Sequence, residues 1–277
     1  MKPYSILLLI LLLQNNQVNA SDSLQYSVKY KYTKQKDSAN SFSKFEDVMI
    51  LTIRNKGSLY YSYLKHFGER NFEKDINSRK SNETSKEVNI DAKSSDRGKY
   101  FTLNESEIID LDYTKKMAKV SDKLMSLVYS YSEKLVSPTW TIGMVSQEIL
   151  GQKCTMATTI YKGRNYTAWF SLTIPYSMGP WFFNGLPGLI LKVEDDKKQF
   201  SFECIELNTP ITTTIVFRPY KNASVIEPKK LKAKKKMMAQ NIIAFMQAEV
   251  GVNVYTDGGQ PAVIKNKPYN PLDLSKN

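Results

Sequence analysis

Apolar and polar residues alternate along most of the chain, and this period of two predicts half-buried antiparallel strands. In the clearest run, Leu24 to Tyr32, every second residue is apolar. Val48 to Ile53, the turn Asn55-Lys56-Gly57 and Leu59 to Tyr63 together predict a hairpin. Further strands are predicted at Lys99 to Leu103, Ile108 to Tyr113, Met117 to Val120, Leu124 to Tyr131, Thr139 to Met144, Ile149 to Tyr161, Tyr166 to Leu172, Leu189 to Val193, Phe200 to Leu207 and Thr212 to Phe217.

Two segments depart from this alternation. Residues 70–97 are polar and rich in Ser, Lys, Asn and Glu, which indicates a surface insertion. In residues 228–250 the apolar positions Leu231, Met238, Ile242 and Phe245 are typical of a helix with one apolar stripe, and Pro228 suits its first turn. Residues 251–277 are polar, and we expect this tail to run over the surface.

The pattern predicts a mainly β protein, with residues 21–250 forming a single domain. A sheet with this many strands curls, and one amphipathic C-terminal helix is available to cover its concave face. The predicted architecture is therefore a large curved antiparallel sheet or an open half-barrel, comparable to LolA-type or lipocalin-like folds.

The N-terminus predicts an export signal. Lys2 supplies a positive charge, Ile6 to Leu13 form an apolar run, and Val18-Asn19-Ala20 is a small-residue cleavage site. The apolar run is shorter than the ~20 residues that span a bilayer. We expect residues 1–20 to be cleaved and the remainder to be soluble in the periplasm or outside the cell.

Net charge indicates which binding partners to expect, and the cysteine count limits the possible disulfides. The formal net charge is +12, which favours encounters with anionic surfaces or acidic partners. We expect no nucleic-acid partner, because no known nucleic-acid-binding motif is present. The cysteines Cys154 and Cys204 both fall on the apolar phase of predicted strands, so a disulfide and two buried thiols remain equally open.

Turn-forming residues and apolar residues are densest at Gly185-Leu186-Pro187-Gly188-Leu189-Ile190. Leu-Pro-Gly-Leu has the form of a type II turn, which predicts a positive φ at Gly188. Other motif residues precede it in a fixed order: Gly151, Cys154, Gly163, Arg164, Trp169, Pro175, Gly179 and Pro180. This order resembles the GLPGLI family of exported, largely uncharacterised Bacteroidetes proteins. The resemblance implies the same sheet architecture and an accessory role beside outer-membrane TonB-dependent receptors.

Aromatic residues are concentrated around this motif. Two interpretations remain open for Trp169, Tyr176, Trp181, Phe182 and Phe183: they plug the end of the curved sheet, or they form a pocket or partner-binding patch. In the second case Arg164 and Arg218 could orient an anionic group.

A run of lysines opens the predicted helix, at Lys229, Lys230, Lys232, Lys234, Lys235 and Lys236. Positive charge near a helix N-terminus opposes the helix dipole, so helix stability does not account for the run. A solvated helix face and a surface that contacts an anionic membrane or acidic partner both remain open.

Motifs for catalysis or cofactors are absent. The single histidine, His66, has no Gly-x-Ser-x-Gly partner motif, and we expect it in an exposed loop. No metal-ligand spacing or Gly-rich nucleotide loop occurs, so we expect no cofactor and no metal. The sequence predicts a non-catalytic carrier of a hydrophobic or peptide-like ligand. The alternatives are a structural adaptor for an outer-membrane receptor and, third, a hydrolase with an unrecognised site.

Overall fold

The structure of the protein is a computed structural model, which describes residues 24–68, 105–208 and 220–275. Within these residues, twelve strands form one sheet. They are β1 (Leu24–Gln35), β2 (Lys44–Arg54), β3 (Gly57–Ser62), β4 (Ile108–Asp112), β5 (Met117–Leu124), β6 (Leu127–Lys134), β7 (Thr141–Ile149), β8 (Gln152–Tyr161), β9 (Arg164–Ser171), β10 (Leu189–Asp195), β11 (Phe200–Asn208) and β12 (Ser224–Val225). The prediction of a mainly β protein is confirmed.

The sheet consists of two meanders joined side by side. Strands β1 to β6 follow one another in one direction, β7 to β11 follow one another in the other, and β11 pairs with β1. All these pairs are antiparallel. The short strand β12 departs from the expected pattern because it pairs with β6 in parallel.

The connection between the two meanders requires the sheet to curl. Strands β6 and β7 are ten strand positions apart, which corresponds to about 48 Å across a flat sheet. Residues 135–140 connect them, and so short a segment spans at most about 25 Å. The sheet must therefore bend until its two ends approach each other, as in an open half-barrel.

Alternate residues of the strands face opposite sides of the sheet. On one side, Tyr30, Leu51, Val120, Ala168 and Phe202 belong to one large buried cluster drawn from both meanders. On the other side, a small cluster consists of Ile50, Leu59, Tyr61 and Ile108. The main core therefore fills the concave side, and the period of two in the sequence reflects this division.

Most strand predictions agree with the structure, with shifts at the ends. The turn between β5 and β6 lies at residues 125–126, where Met125 has a positive φ, rather than before Leu124. The turn between β7 and β8 lies at residues 150–151. The signal segment 1–20, the insertion 70–97 and the strands predicted at 99–103 and 212–217 lie outside the described residues.

The predicted helix is interrupted. Helix α1 (Pro228–Gln240) ends at Asn241, whose side chain caps the short helix α2 (Ile242–Phe245), and a π-helical turn follows at Met246–Val250. From the predicted stripe, Leu231 and Phe245 are buried against Leu124, whereas Ile242 is exposed. The amide oxygen of Asn241 accepts from the Ala244 amide, which explains why the helix restarts there.

The prediction that the tail runs over the surface is wrong for its last described residues. Asn270 is buried, and its amide donates to the carbonyl oxygen of Gln35. The Leu274 amide donates to the carbonyl oxygen of Lys162, in the β8–β9 turn. Residues 267–275, termed here the C-terminal segment, therefore pack against the sheet.

Candidate functional site

A cavity of about 640 Å³ lies between the sheet, α1 and the C-terminal segment. This volume is within the range of small-molecule sites. Its wall contains seven aromatic residues and eleven charged residues. The aromatic residues are Tyr32, Phe45, Tyr131, Trp181, Phe182, Phe200 and Tyr269, and the charged residues are Lys34, Lys36, Asp37, Glu105, Glu107, Asp122, Lys162, Lys232, Lys235, Lys267 and Asp273.

A partly buried ionic cluster attaches α1 to the sheet at this cavity. The Lys235 ammonium lies 2.7 Å from both a carboxylate oxygen of Asp122 on β5 and one of Glu107. Burial opposes the charged form of Asp122, but Lys235 and the Ser106 hydroxyl outweigh it and hold the pKa of that carboxyl below its usual range. The same carboxylates outweigh desolvation at Lys235 and raise its pKa well above the ordinary value.

A second ionic cluster closes the cavity from the C-terminal segment. Asp273 lies 3.0 Å from the Lys232 ammonium and 3.4 Å from that of Lys162. The Lys162 ammonium also lies 4.6 Å from the ring centre of Phe182, a cation–π distance. The segment is therefore bound through one carboxylate to both α1 and the β8–β9 turn.

The loop between β9 and β10, residues 172–188, is termed here the aromatic loop, and its three consecutive aromatic side chains are buried. Trp181, Phe182 and Phe183 are 5%, 4% and 0% exposed, and the rings of Trp181 and Phe183 are 5.4 Å apart. Trp181 and Phe182 nevertheless line the cavity, so the plug of the sheet also forms part of its wall. Trp169 and Tyr176 are half-buried and pack against the main core. The loop presents no exposed aromatic patch.

The side chain of Arg164 is buried and fully engaged within the protein. Its Nη1 lies 3.2 Å from Asp195 Oδ2 and 3.1 Å from Gln199 Oε1. The other donors bind the C-terminal segment, at Leu272 O, Asn270 Oδ1 and Pro271 O. Because all five N–H donors have partners, Arg164 has none left for a ligand. Arg218 lies outside the described residues.

The predicted positive φ at Gly188 is wrong. The described glycines with positive φ include Gly151, Gly163 and Gly185, and Gly188 is not among them. A Cβ added at Gly188 would come within 2.0 Å of the carbonyl oxygen of Ser171. Gly188 allows the loop to approach the end of β9 closely, because it has no Cβ. Its role is therefore to avoid a steric clash, not to adopt a positive φ.

Neighbouring motif residues build the same packed loop. A Cβ at Gly179 would lie 2.8 Å from Cβ of Ile190, and Pro180 is buried. Leu186, Leu189 and Ile190 belong to the main core, whereas Pro175 and Pro187 are exposed. At Gly163 the φ is +80° and a Cβ would lie 2.8 Å from Leu274, so this glycine admits the C-terminal segment.

Cys154 and Cys204 are free and buried. The structure therefore contains two buried thiols rather than a disulfide. Strands β9 and β10 separate β8, which carries Cys154, from β11, which carries Cys204. Three strand spacings correspond to about 14 Å, well beyond the ~7 Å between Cα atoms that a disulfide allows. Burial raises the pKa of Cys154 to about 11 and that of Cys204 to about 12.

The single histidine and the acidic side chains are the remaining groups of chemical interest among the described residues. His66 is half-buried in a helical segment, with its ring centre 5.2 Å from that of Tyr61, so the expectation of an exposed loop is wrong. In the described ranges no group of three or more His, Cys, Asp or Glu side chains could hold a metal ion. The helices described are also too short or too polar to cross a membrane.

Sequence reasoning missed most of this site. Asp122 falls between two predicted strands, whereas in the structure it lies within β5 and the turn comes later. Lys235 lies in a lysine run, and Asp273 in a tail expected at the surface. More than a hundred residues separate Lys235 from Asp122, and no spacing rule links them. The one signal was the position of Lys235, four residues after Leu231, which places both on the same side of α1.

Residues 137–192 match the model of a family described as "Protein of unknown function (Porph_ging)". This segment runs from the β6–β7 connection into β10 and contains the glycine motif. No curated protein matches the chain significantly.

Two similar solved structures are those of PNGF-II. The structure in space group P21 has 10% identity and a TM-score of 0.48, and the match covers 76% of this chain and 33% of that one. For the structure in space group C2 the values are 10%, 0.44, 76% and 32%. The chain spans about a third of the length of these structures.

Proposed function

We propose that this protein is a non-catalytic binding protein that carries a small hydrophobic or peptide-like ligand in the cavity between the sheet, α1 and the C-terminal segment. The observation that carries the proposal is the construction of this cavity. Three separate parts of the chain meet there. Partly buried ion pairs attach α1 to the sheet and to the C-terminal segment, beside the apolar packing of Leu231 on Leu124. A volume of about 640 Å³ lined by seven aromatic rings suits an organic ligand.

We further propose that the protein is exported and belongs to the GLPGLI family. The apolar run Ile6 to Leu13 and the site Val18-Asn19-Ala20 support export. The order of the glycine motifs supports the family assignment. A carrier role is compatible with either a periplasmic or an extracellular location.

A carrier function is favoured over an adaptor that would contact its receptor through the aromatic loop and the lysines of α1. In the described structure the aromatic loop is buried, so it offers no patch to a receptor. Four lysines of α1, Lys230, Lys232, Lys234 and Lys235, are bound to carboxylates of the same chain. Of the six lysines, only Lys229 and Lys236 have no carboxylate partner among the described residues and stay available to an anionic membrane or acidic receptor.

Native mass spectrometry of protein purified from its source tests the proposal. We expect a discrete additional mass on the wild-type protein that is lost on denaturation. The variant Met238→Trp, which places a larger ring at the cavity wall, should lose that mass. Met237→Trp is the matched control, because Met237 is exposed and does not line the cavity.

Circular dichroism and thermal unfolding should show that both variants fold. A wild-type protein without a retained mass would contradict the proposal, and so would equal retention by the two tryptophan variants.

A further inference from the structure

We infer that the cavity takes an amphiphile with one anionic head group, a carboxylate or phosphate held at the rim by Lys36 and Lys267. The inference rests on the proposed binding function and specifies the chemical class of the ligand. It depends on which charges of the cavity wall are already used within the protein.

Four of the six lysines in the wall are engaged with carboxylates. Lys34 is bound to Glu105, Lys235 to Glu107 and Asp122, and both Lys162 and Lys232 to Asp273. These pairs leave the interior of the cavity electrically balanced. A ligand charge placed there would have to displace an existing partner, which is costly in a partly buried site.

The remaining two lysines are available to a ligand. Among the described residues, neither Lys36 nor Lys267 has an ion-pair partner, and both are exposed at the edge of the cavity. The side-chain amide of Asn270 donates to the carbonyl oxygen of Gln35 at 2.8 Å. This hydrogen bond joins the strand end next to Lys36 to the segment that carries Lys267, so the two ammonium groups belong to one rim.

The carboxylates of the wall give a cationic head group little to bind. Glu105, Glu107, Asp122 and Asp273 are all paired. Asp37 is next to Lys36, but its Oδ1 accepts from the Ala39 amide at 2.9 Å within its own turn. Two free ammonium groups therefore favour an anion, which can accept charge-assisted hydrogen bonds from both.

The rim adjoins an aromatic surface that suits an apolar tail. The Lys36 ammonium lies 5.3 Å from the ring centre of Phe45. Tyr32 and Phe200, which are buried, continue the wall beyond Phe45. A head group at the lysines would thus place the rest of an amphiphile along these rings, where its apolar surface leaves water.

Calorimetric titration with ligands of one chain length tests this inference. The probes are decanoate, decyl phosphate, 1-decanol and decyltrimethylammonium, with the full mature chain. We expect the two anions to bind at least about tenfold more tightly than the alcohol and the cation. Their affinity should fall as salt concentration rises, because the two lysines are exposed.

Matched variants identify the head-group site. The double variant Lys36→Gln/Lys267→Gln should lose the about tenfold preference for anions. Lys197→Gln/Lys265→Gln removes the same net charge from exposed lysines that do not line the cavity, and it should bind decanoate like the wild type. The relative affinities of decanoate and decyl phosphate distinguish a carboxylate from a phosphate ligand.

The outcomes separate this inference from the binding function. Equal binding of all four probes, or unchanged anion binding by the Lys36/Lys267 variant, would overturn the inference and leave the carrier function intact. If none of the probes binds while a mass is retained on the native protein, the ligand class is wrong and the function stands. If none binds and no mass is retained, both fail.

Discussion

The guanidinium of Arg164 and the carboxylate of Asp195 form a buried ion pair, with side-chain exposures of 5% and 0%. Arg164 is the first residue of β9 and Asp195 the last of β10. Asp195 Oδ1 also accepts from the backbone amides of Gln199 and Phe200, at 2.7 Å each. The pair therefore joins the ends of three strands and, through the remaining donors of Arg164, attaches the C-terminal segment that closes the cavity.

Replacing Arg164 should release this segment and destabilise the whole protein. We expect Arg164→Met to lower the free energy of unfolding by about 3–5 kcal/mol, because Asp195 would stay buried without its partner. Urea unfolding measures the loss, and limited proteolysis should cleave first within residues 267–275. The control Lys192→Met removes a partly exposed pair with Glu194 and should cost about 1 kcal/mol or less. Equal effects of the two variants would contradict the role of Arg164.

Substitution of Gly188 tests whether glycine is required at this position for close packing or for an unusual backbone conformation. We expect Gly188→Ala to destabilise by about 1–3 kcal/mol, because its Cβ would overlap the carbonyl oxygen of Ser171 and neither strand can move freely. Gly151→Ala is the comparison: its φ is +73° but nothing lies within 4 Å of the new Cβ, so about 1 kcal/mol is expected. Thermal unfolding of both variants measures the difference, and a harmless Gly188→Ala would refute the steric explanation.

The strands were predictable from sequence because the alternation of apolar and polar residues within a strand depends only on which of its faces is buried. Apolar and polar residues alternate from Tyr26 to Tyr32 because one face of β1 is in the core, and this signal needs no distant information. The site was not predictable, because it depends on how a long chain curls. Arg164 resembles a turn residue until the C-terminal segment covers it, and Gly188 fits a type II turn until Ser171 is placed beside it.

The lysines of α1 should not be equivalent. We expect Lys235→Met to lower the free energy of unfolding by about 2 kcal/mol or more, since it leaves Asp122 buried without its ammonium partner. Lys236→Met, at the next and exposed position, should change stability by less than about 0.5 kcal/mol. Chemical denaturation measures both. Equal stability of the two variants would mean that the whole run is a solvated face.

Thiol titration tests the state of the cysteines. In the native protein at pH 8 both thiols should react very slowly, because burial removes access and raises their pKa values to about 11 and 12. After denaturation without reductant, two thiols per chain should react with a chromogenic disulfide reagent. Cys154→Ala should leave one. Denatured wild-type protein with no reactive thiol would show that the mature protein contains a bridge absent from the structure.

Asp47 should give the protein a measurable dependence of stability on pH. Burial raises the pKa of this carboxyl from 3.8 to about 6, although it accepts hydrogen bonds from the Ser62 hydroxyl and the Glu105 and Val48 amides. Because the folded state takes up a proton more readily than the unfolded state, this group stabilises the protein as pH falls and loses that contribution as pH rises through about 6.

Urea unfolding between pH 7 and pH 4 should therefore show a contribution from Asp47 that increases by up to about 3 kcal/mol toward the acid end. Asp47→Asn, which does not titrate, should lack this rise, so its stability relative to the wild type falls as the pH is lowered. Asp196→Asn makes the same charge change at an exposed turn and should follow the wild-type profile. Asp122, whose pKa is lowered, acts with the opposite sign: its contribution is complete at neutral pH and is lost as the pH falls past its unfolded pKa of 3.8, and it is common to the wild type and Asp47→Asn. Parallel profiles for the wild type and Asp47→Asn would show that the carboxyl titrates alike in both states.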